Sequence, residues 1–261
     1  MECKKPHPMQ LILFLLMAGV SLQSCSVKKL PPTPGHPKWG LEVTWHGHSC
    51  FTLKDSVDRK IVIDPYDETV GYGKLELLAD ALLVTHNHFD HNYRRAVKAN
   101  HREIDLASST GTVTVAGDMQ VTGLPAVHDT EGGQINGDNT IYIFVMGGLR
   151  CVHLGDLGDS RLTDYQMKMI GKVDVLFIPV GGKVTLNAEE ARAVVEALKP
   201  AVIFPMHYGG LRFYPLDPLE KFTALFPPEQ VKIVSENRVR VREEDLPIQP
   251  TVFVLKPVSK K

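Results

Sequence analysis

With 261 residues, 43% of them apolar and 23% charged, the chain has the length of one large domain or two small ones and can bury a core without disulfide staples. A formal net charge of −1 gives no bulk attraction to nucleic acid or to an anionic membrane surface. There are eleven histidines, and their clustering matters more than their number.

Lys4 and Lys5 precede an apolar run, Leu11–Val20. That run falls short of the roughly 20 apolar residues a membrane span needs. It suits the apolar region of a secretory signal. The run leads into Leu22-Gln23-Ser24-Cys25, which resembles the cleavage box of bacterial lipoproteins, with Cys25 as the lipidated residue. The other reading is an ordinary secretory signal with an incidental cysteine. Residues 1–25 are expected to be a signal with a lipobox, 26–39 a proline-rich tether, and 40–261 the folded domain. Ser26, standing where inner-membrane lipoproteins often carry Asp, favours the outer membrane. The expected place is the bacterial cell envelope, lipid-anchored and facing the periplasm. Cys50 and Cys151 would then be the cysteines left in the domain, and they read as two buried free thiols.

From Leu41 onward, short β-rich runs dominate: Leu41–Trp45, Phe51–Lys54, Lys60–Ile63, Ala81–Val84, Thr112–Val115 and Ile141–Met146. Turn pairs such as Asn136-Gly137 and Gly147-Gly148 separate them. Ala188–Leu198 has helical spacing, with Ala191, Val194, Val195 and Leu198 on one face. Asn187 supplies an N-cap, with Glu190 three residues on, and Pro200 stops the helix. With Val173–Pro179 before it and Ala201–Pro205 after it, this helix makes a β-α-β unit. In Arg238–Arg242, arginine alternates with valine, as in a half-buried strand with a solvated face. Two sheets packed face to face, with helices outside, are one architecture consistent with this order.

The chemistry concentrates in Thr85-His86-Asn87-His88-Phe89-Asp90-His91, directly after the buried run Ala81–Val84. A loop anchored on a core strand presents several ligands rigidly from one short backbone. Imidazole and carboxylate suit zinc, iron or manganese rather than calcium. A solvated polar loop would need neither these residue types nor this spacing. No Gly-x-Ser-x-Gly elbow occurs, and neither domain cysteine has a base pattern beside it.

His86-x-His88-x-Asp90-His91 resembles the H-x-H-x-D-H signature of the metallo-β-lactamase superfamily. The likeness extends to His128 in Ala126-Val127-His128-Asp129, to Asp156 in His153-Leu154-Gly155-Asp156 and to His207 in Pro205-Met206-His207-Tyr208. The Trp45-His46-Gly47-His48-Ser49-Cys50-Phe51 opening and the Gly181–Leu186 segment are similar to the branch that includes L-ascorbate-6-phosphate lactonase and N-acyl phosphatidylethanolamine-hydrolysing phospholipase D. The resemblance implies an α+β fold, a four-layer αββα sandwich with helices on both outer faces. It implies two divalent metal ions, zinc by preference, with manganese or iron also suited. His86, His88 and His128 would hold the first, Asp90, His91 and His207 the second, and Asp156 would bridge them. Two cations about 3.5–4 Å apart lower the pKa of a shared water and supply hydroxide near neutral pH. Asp90 would also orient that water, as a catalytic residue. The implied activity is hydrolysis of an ester, lactone or phosphodiester in a small-molecule or lipid-derived substrate, without nucleic acid. Two other readings stay open: a di-iron redox protein of the same fold, or a non-catalytic surface lipoprotein stabilised by its metals.

Several residues carry two readings each. His48, and less so His46, could reach the metal edge or simply close a hydrogen-bonded turn. Asp64 could bond a metal-ligating imidazole or belong to an Asp-Pro turn. His153 reads as a buried histidine satisfied by backbone more readily than as a ligand. Lys183 and Thr185 could meet an anionic substrate or cap the following helix. Tyr208 and Tyr214 could line the pocket mouth or serve packing.

Overall fold

The computed structural model describes residues 40–98, 102–105, 111–115, 117–209 and 215–256. The expected signal, the tether, Cys25 and Tyr214 lie outside the described residues. Chain order runs β1 (Leu41–Gly47), β2 (Cys50–Asp55), β3 (Lys60–Ile63), β4 (Leu77–Leu78), β5 (Ala81–Val84), β6 (Val97–Lys98), β7 (Arg102–Asp105), β8 (Gly111–Val115), β9 (Met119–Val127), β10 (Asp138–Met146) and β11 (Leu149–His153). It continues with α1 (Asp164–Ile170), β12 (Val175–Pro179), α2 (Ala188–Leu198), β13 (Val202–Met206), α3 (Leu219–Thr223), β14 (Val231–Ile233), β15 (Arg238–Val241) and β16 (Thr251–Val254). Among the described residues, no helix is long and apolar enough to cross a membrane.

One sheet has six strands, ordered β15-β1-β2-β3-β5-β7. The other has eight, ordered β14-β16-β13-β12-β11-β10-β9-β8. The parallel strands β5, β12 and β13 are buried along their whole length, which is why their sequences are continuous apolar runs rather than alternating ones. Strand β1 does alternate, with Leu41, Val43 and Trp45 turned into the core. Gly147 and Gly148, both at positive φ, close the β10–β11 hairpin as its two-residue turn.

Between the sheets, Phe51 packs against Phe177 at 4.7 Å and Phe177 against Phe204 at 5.3 Å between ring centroids. Each fully buried ring of this kind stabilises the fold by about 1.5–3 kcal/mol. Helix α2 forms where its periodicity places it, capped by Asn187 and Glu190, with Ala191, Val194, Val195 and Leu198 buried. It links the parallel pair β12 and β13.

The α+β sandwich is as the sequence leads one to expect, with one difference in the outer layers. Residues of α1, α2 and α3 all join the core on the outer face of the eight-stranded sheet. The outer face of the six-stranded sheet, at Cys50, Val62, Leu82 and Val84, is covered instead by Tyr66, Val70, Leu75, Ala79, Ala96 and Val97. Among the described residues these come from loops, the single-turn 3₁₀ helices Glu68–Val70 and Arg94–Ala96 and the small β4–β6 pair, none long enough for an amphipathic helix. Cys50 and Cys151 are free and buried, in clusters on opposite faces of the six-stranded sheet. Burial pushes both thiols well above their ordinary range.

Candidate metal centre

Strands β3 and β5 run parallel, Ile63 beside Leu83, so residues 64 and 85 leave the sheet side by side. The Asp64 backbone N–H donates to the Leu83 carbonyl at 3.0 Å. Its carboxylate accepts from the Thr85 N–H at 2.8 Å and from the Thr85 hydroxyl at 2.7 Å. The opposite sheet grips the same point. Thr140 N–H donates to the Thr85 carbonyl at 2.9 Å, and the Tyr142 hydroxyl to the Val84 carbonyl at 2.7 Å. Thus the histidine loop starts from a point fixed to both sheets. It then curls, with the His91 and Asn92 N–H groups donating to the His88 carbonyl. The curl brings the His86 ring to 4.5 Å from His88 and 4.3 Å from His91.

Asp156 arrives from the end of β11. Gly155 precedes it at φ 55°, and a Cβ there would sit 2.2 Å from Asn139 Oδ1 and 2.8 Å from Thr85 Cβ, so only glycine fits this crossing. Asn139 Oδ1 accepts the Asp156 N–H at 3.1 Å, and its amide donates to the Leu154 carbonyl at 2.8 Å. His128 follows β9, and its Nδ1–H donates to the Val184 carbonyl at 2.8 Å. His207 follows β13 in a left-handed conformation, φ 52°. Asp156 Oδ2 lies 3.1 Å from His91 Nε2, 3.2 Å from His128 Nε2, 3.0 Å from His207 Nε2 and 3.8 Å from His86 Nε2.

All seven residues singled out as ligands therefore meet at one sheet edge. Three overlapping groups each place one donor atom per residue within 4.8 Å of the others: His86, His88 and His128; His86, His91 and Asp156; and His48, Asp90, His91 and His207. Asp156 stands between the first and last. His48 joins the last group, with its Nε2 3.1 Å from Asp90 Oδ2.

Hydrogen bonding sets which ring nitrogen faces inward. The Thr85 hydroxyl spends its proton on Asp64, so it accepts from His86 Nδ1–H at 3.0 Å. His91 Nδ1–H donates to Asp64 Oδ2 at 3.1 Å. With the Nδ1–H groups of His86, His91 and His128 engaged in this way, each Nε2 is turned to the centre, where it would face a bound metal in the usual arrangement. His86 Nε2, His91 Nε2 and Asp156 Oδ1 are buried without a hydrogen-bond partner. An unpartnered buried polar atom costs about 1–3 kcal/mol, and a cation would take up all three. Donors about 2.0–2.2 Å from a tetrahedral zinc lie roughly 3.3–3.6 Å apart, within the spread of the separations at Asp156 Oδ2.

The electrostatics agree. Against the cost of complete burial, His207 and His91 hold Asp156 well below the usual carboxylate range. Against burial again, Asp156 and Asp90 raise His91 well above an ordinary imidazole. The carboxylates thus draw positive charge into the centre. Burial, with His91 beside it, lowers His86 to about 2, and burial with His207 nearby lowers His48 to about 4.

The remaining candidates divide. Asp64 bonds the imidazole of His91, as its first reading holds. His153 is structural: its Nδ1 accepts from the Gly155 N–H at 3.1 Å and its Nε2 faces the Ser49 carbonyl at 3.4 Å. His46 turns to the Thr52 hydroxyl at 2.7 Å. Thr185 is buried and closes its own turn onto the Gly182 carbonyl, while Asn187 and Glu190 make the helix cap. Lys183 is exposed at positive φ, one residue before the carbonyl that holds His128. Tyr208 stacks on Trp45 at 5.4 Å, and Tyr72 donates to its carbonyl. Thr85, Asn139 and Asp129 went unnoticed in the sequence. The Asp129 carboxylate accepts backbone N–H groups from Glu131, Gly133, Ile135 and Asn136 and so shapes the loop after His128. A polar residue beside a ligand was the available signal, and it is a weak one.

A family model described as the β-lactamase superfamily domain matches residues 42–207. A UPF0173 protein of Pyrococcus furiosus is 31% identical over 224 residues, covering 79% of this chain and 96% of its own length. A UPF0173 metal-dependent hydrolase of Thermoplasma acidophilum is 31% identical over 209 residues, covering 71% of this chain and 90% of its own. The crystal structure of a Thermotoga maritima protein, proposed to be a Zn-dependent hydrolase of the metallo-β-lactamase superfamily, aligns with a TM-score of 0.67 at 32% identity, over 84% of this chain and 100% of that one.

Proposed function

This chain belongs to the metallo-β-lactamase superfamily and is a metal-dependent hydrolase, and on that premise we propose that it uses two divalent cations, zinc by preference, to cleave an ester, lactone or phosphodiester. The observation that carries the reading is the convergence of the His91, His128 and His207 Nε2 atoms on one oxygen of Asp156, with further donors on either side. One carboxylate between two donor groups suits a pair of ions better than a single ion.

His86, His88 and His128 would hold one ion, and Asp90, His91 and His207 the other. A cation pair supplies hydroxide near neutral pH and polarises the electrophile. The chain's own part is placement. Asp64, the Thr85 hydroxyl and the Val184 carbonyl fix three imidazoles by their Nδ1–H groups. Asp90, half-buried, would orient the attacking water. Against burial, His91 and His48 keep the Asp90 carboxylate ionised for that work. His88 is half-buried and Phe89 and Lys183 are exposed, so a substrate would enter on that side. The substrate is read as small-molecule or lipid-derived, and the enzyme as lipid-anchored through Cys25 in the periplasm.

The test is metal analysis and turnover on the purified protein. Two equivalents of zinc, with chelator-sensitive hydrolysis of a member of a lactone, phosphodiester and aryl-ester panel, are expected. Full activity after complete chelation, or a single equivalent at saturation, defeats the reading. Tightly bound iron with oxidase activity would replace it by the redox alternative. For the anchor, Cys25→Ala should move the protein from the membrane fraction to the soluble one.

A further inference from the structure

His48 is fully buried, and its side chain faces a residue 42 positions along the chain: Nε2 lies 3.1 Å from Asp90 Oδ2. Among the described residues, no other side chain donates a hydrogen bond to that carboxylate. The backbone at His48 is left-handed, φ 50°, a conformation uncommon outside glycine. It is held there by its own carbonyl, which accepts the Trp45 indole N–H at 3.0 Å and the His207 backbone N–H at 3.3 Å. Gly47 before it leaves room for the Tyr72 ring, which a Cβ would meet at 2.4 Å. The ring of His48 then lies 4.2 Å from that of His207 and 4.9 Å from that of His91. Several unrelated contacts thus fix one imidazole against one carboxylate.

Two roles are open to an imidazole in this place, and the tautomer taken together with the partner of Nε2 separates them. His86, His91 and His128 each have a partner for Nδ1–H. His48 Nδ1 is buried with none. Were His48 to give its Nε2 lone pair to a cation, its hydrogen would sit on Nδ1 as a buried donor without an acceptor, a rare and costly state. With the hydrogen on Nε2, the donor is satisfied by Asp90 and only an acceptor goes unpaired. His207 shares the unpartnered Nδ1, but its Nε2 lies 3.0 Å from Asp156 Oδ2, where the other imidazoles converge.

We propose that His48 is a positioning residue: it donates Nε2–H to Asp90 Oδ2 and locks that carboxylate in one orientation toward the second cation. Without it Asp90, in a turn beside exposed Phe89, would lose its tether. The inference rests on the dinuclear reading above and adds to it a residue that controls the occupancy of one site.

The test compares His48→Gln with His48→Met. The two side chains have the same length and meet the same backbone conformation, but only Gln donates. Zinc alone is the probe, titrated against a chromophoric chelator, with kcat and KM measured beside it. H48M should bind the second equivalent about 10–100-fold more weakly and lose kcat in proportion, with the first equivalent and KM near the parent's. H48Q should return both to near the parent. On a D90N background, the H48M penalty should vanish. The inference is overturned if H48M binds both equivalents like the parent, if H48Q is as impaired as H48M while both melt as folded proteins, or if the penalty persists in D90N. If no substrate is turned over but the zinc pattern holds, the inference stands and the hydrolytic reading fails. If the parent takes one equivalent only, both fall.

Discussion

The two halves of the centre are held by different means. In the His86–His88–His128 half, hydrogen bonds do the bracing: Thr85 fixes one imidazole, the Val184 carbonyl another, and His88 stays half-open to solvent. In the His48–Asp90–His91–His207 half, backbone constraint is added to hydrogen bonding: Asp64 holds His91, His48 faces Asp90, and His48 and His207 both occupy left-handed conformations. Strain of that kind costs on the order of 1–3 kcal/mol per residue and persists only where the surroundings impose it. Here the two strained residues impose it on each other, through the bond from His207 N–H to the His48 carbonyl. The difference teaches that the first half rests on hydrogen bonds alone, while the second also depends on an uncommon backbone conformation at two residues.

Asp156 belongs to both halves, so its removal should erase the distinction. Asp156→Ala leaves several buried imidazoles without their shared carboxylate. Breaking a buried charge network by removing one partner costs about 3–5 kcal/mol of stability, so the melting temperature should fall and turnover should be lost with the ions. Zinc analysis should find neither equivalent tightly held; a variant that keeps both would show that the halves are independent. Asp64→Asn should separate them. The amide oxygen still accepts from the Thr85 N–H, but the NH2 in place of Oδ2 cannot accept from His91 Nδ1–H or from the Thr85 hydroxyl. The second equivalent should weaken about 10–100-fold and the first much less. Thr85→Val acts on the other half by stranding His86 Nδ1–H. A loss of about tenfold, at the low end of that range, should fall on the first equivalent. If D64N and T85V weaken the same equivalent, the division drawn here is wrong.

What could be read from the sequence divides along a different line. His86, His88, Asp90 and His91 were legible together, across both halves, because they share one short motif on a strand-end loop, and residue type with spacing is enough to identify such a loop. The buried runs at β5, β12 and β13 were legible because strands covered on both faces must be apolar throughout. His48 was only half legible: its contact with Asp90 depends on the β1–β2 turn and the loop after β5, far apart in sequence and separated by β3 in the sheet, arriving together. Asn139 and Gly155 were not legible at all, since their importance is a crossing of β10 and the β11 exit that no local pattern encodes. Helix α1 escaped for a different reason. Its seven residues give too few turns for periodicity to register, although its Thr163–Gln166 capping box is complete.

The weakest perturbation tests whether the bracing of the first half reaches beyond its own hydrogen bonds. Val184, whose carbonyl holds His128, lies in the turn that ends at Asn187, the N-cap of α2. Within that turn, Gly182 N–H donates to the Leu186 carbonyl at 3.0 Å, and Leu186 N–H donates to the Leu157 carbonyl at 3.0 Å. These bonds close the turn on itself before the cap begins. Asn187→Ala removes the acceptor of the Glu190 N–H and should destabilise the protein by about 1 kcal/mol. Because the Val184 carbonyl is fixed upstream, zinc affinity and kcat should match the parent's while the melting temperature falls. A fall in the first zinc equivalent alongside the melting temperature would instead make α2 part of the bracing, and the first half would then depend on packing as much as the second.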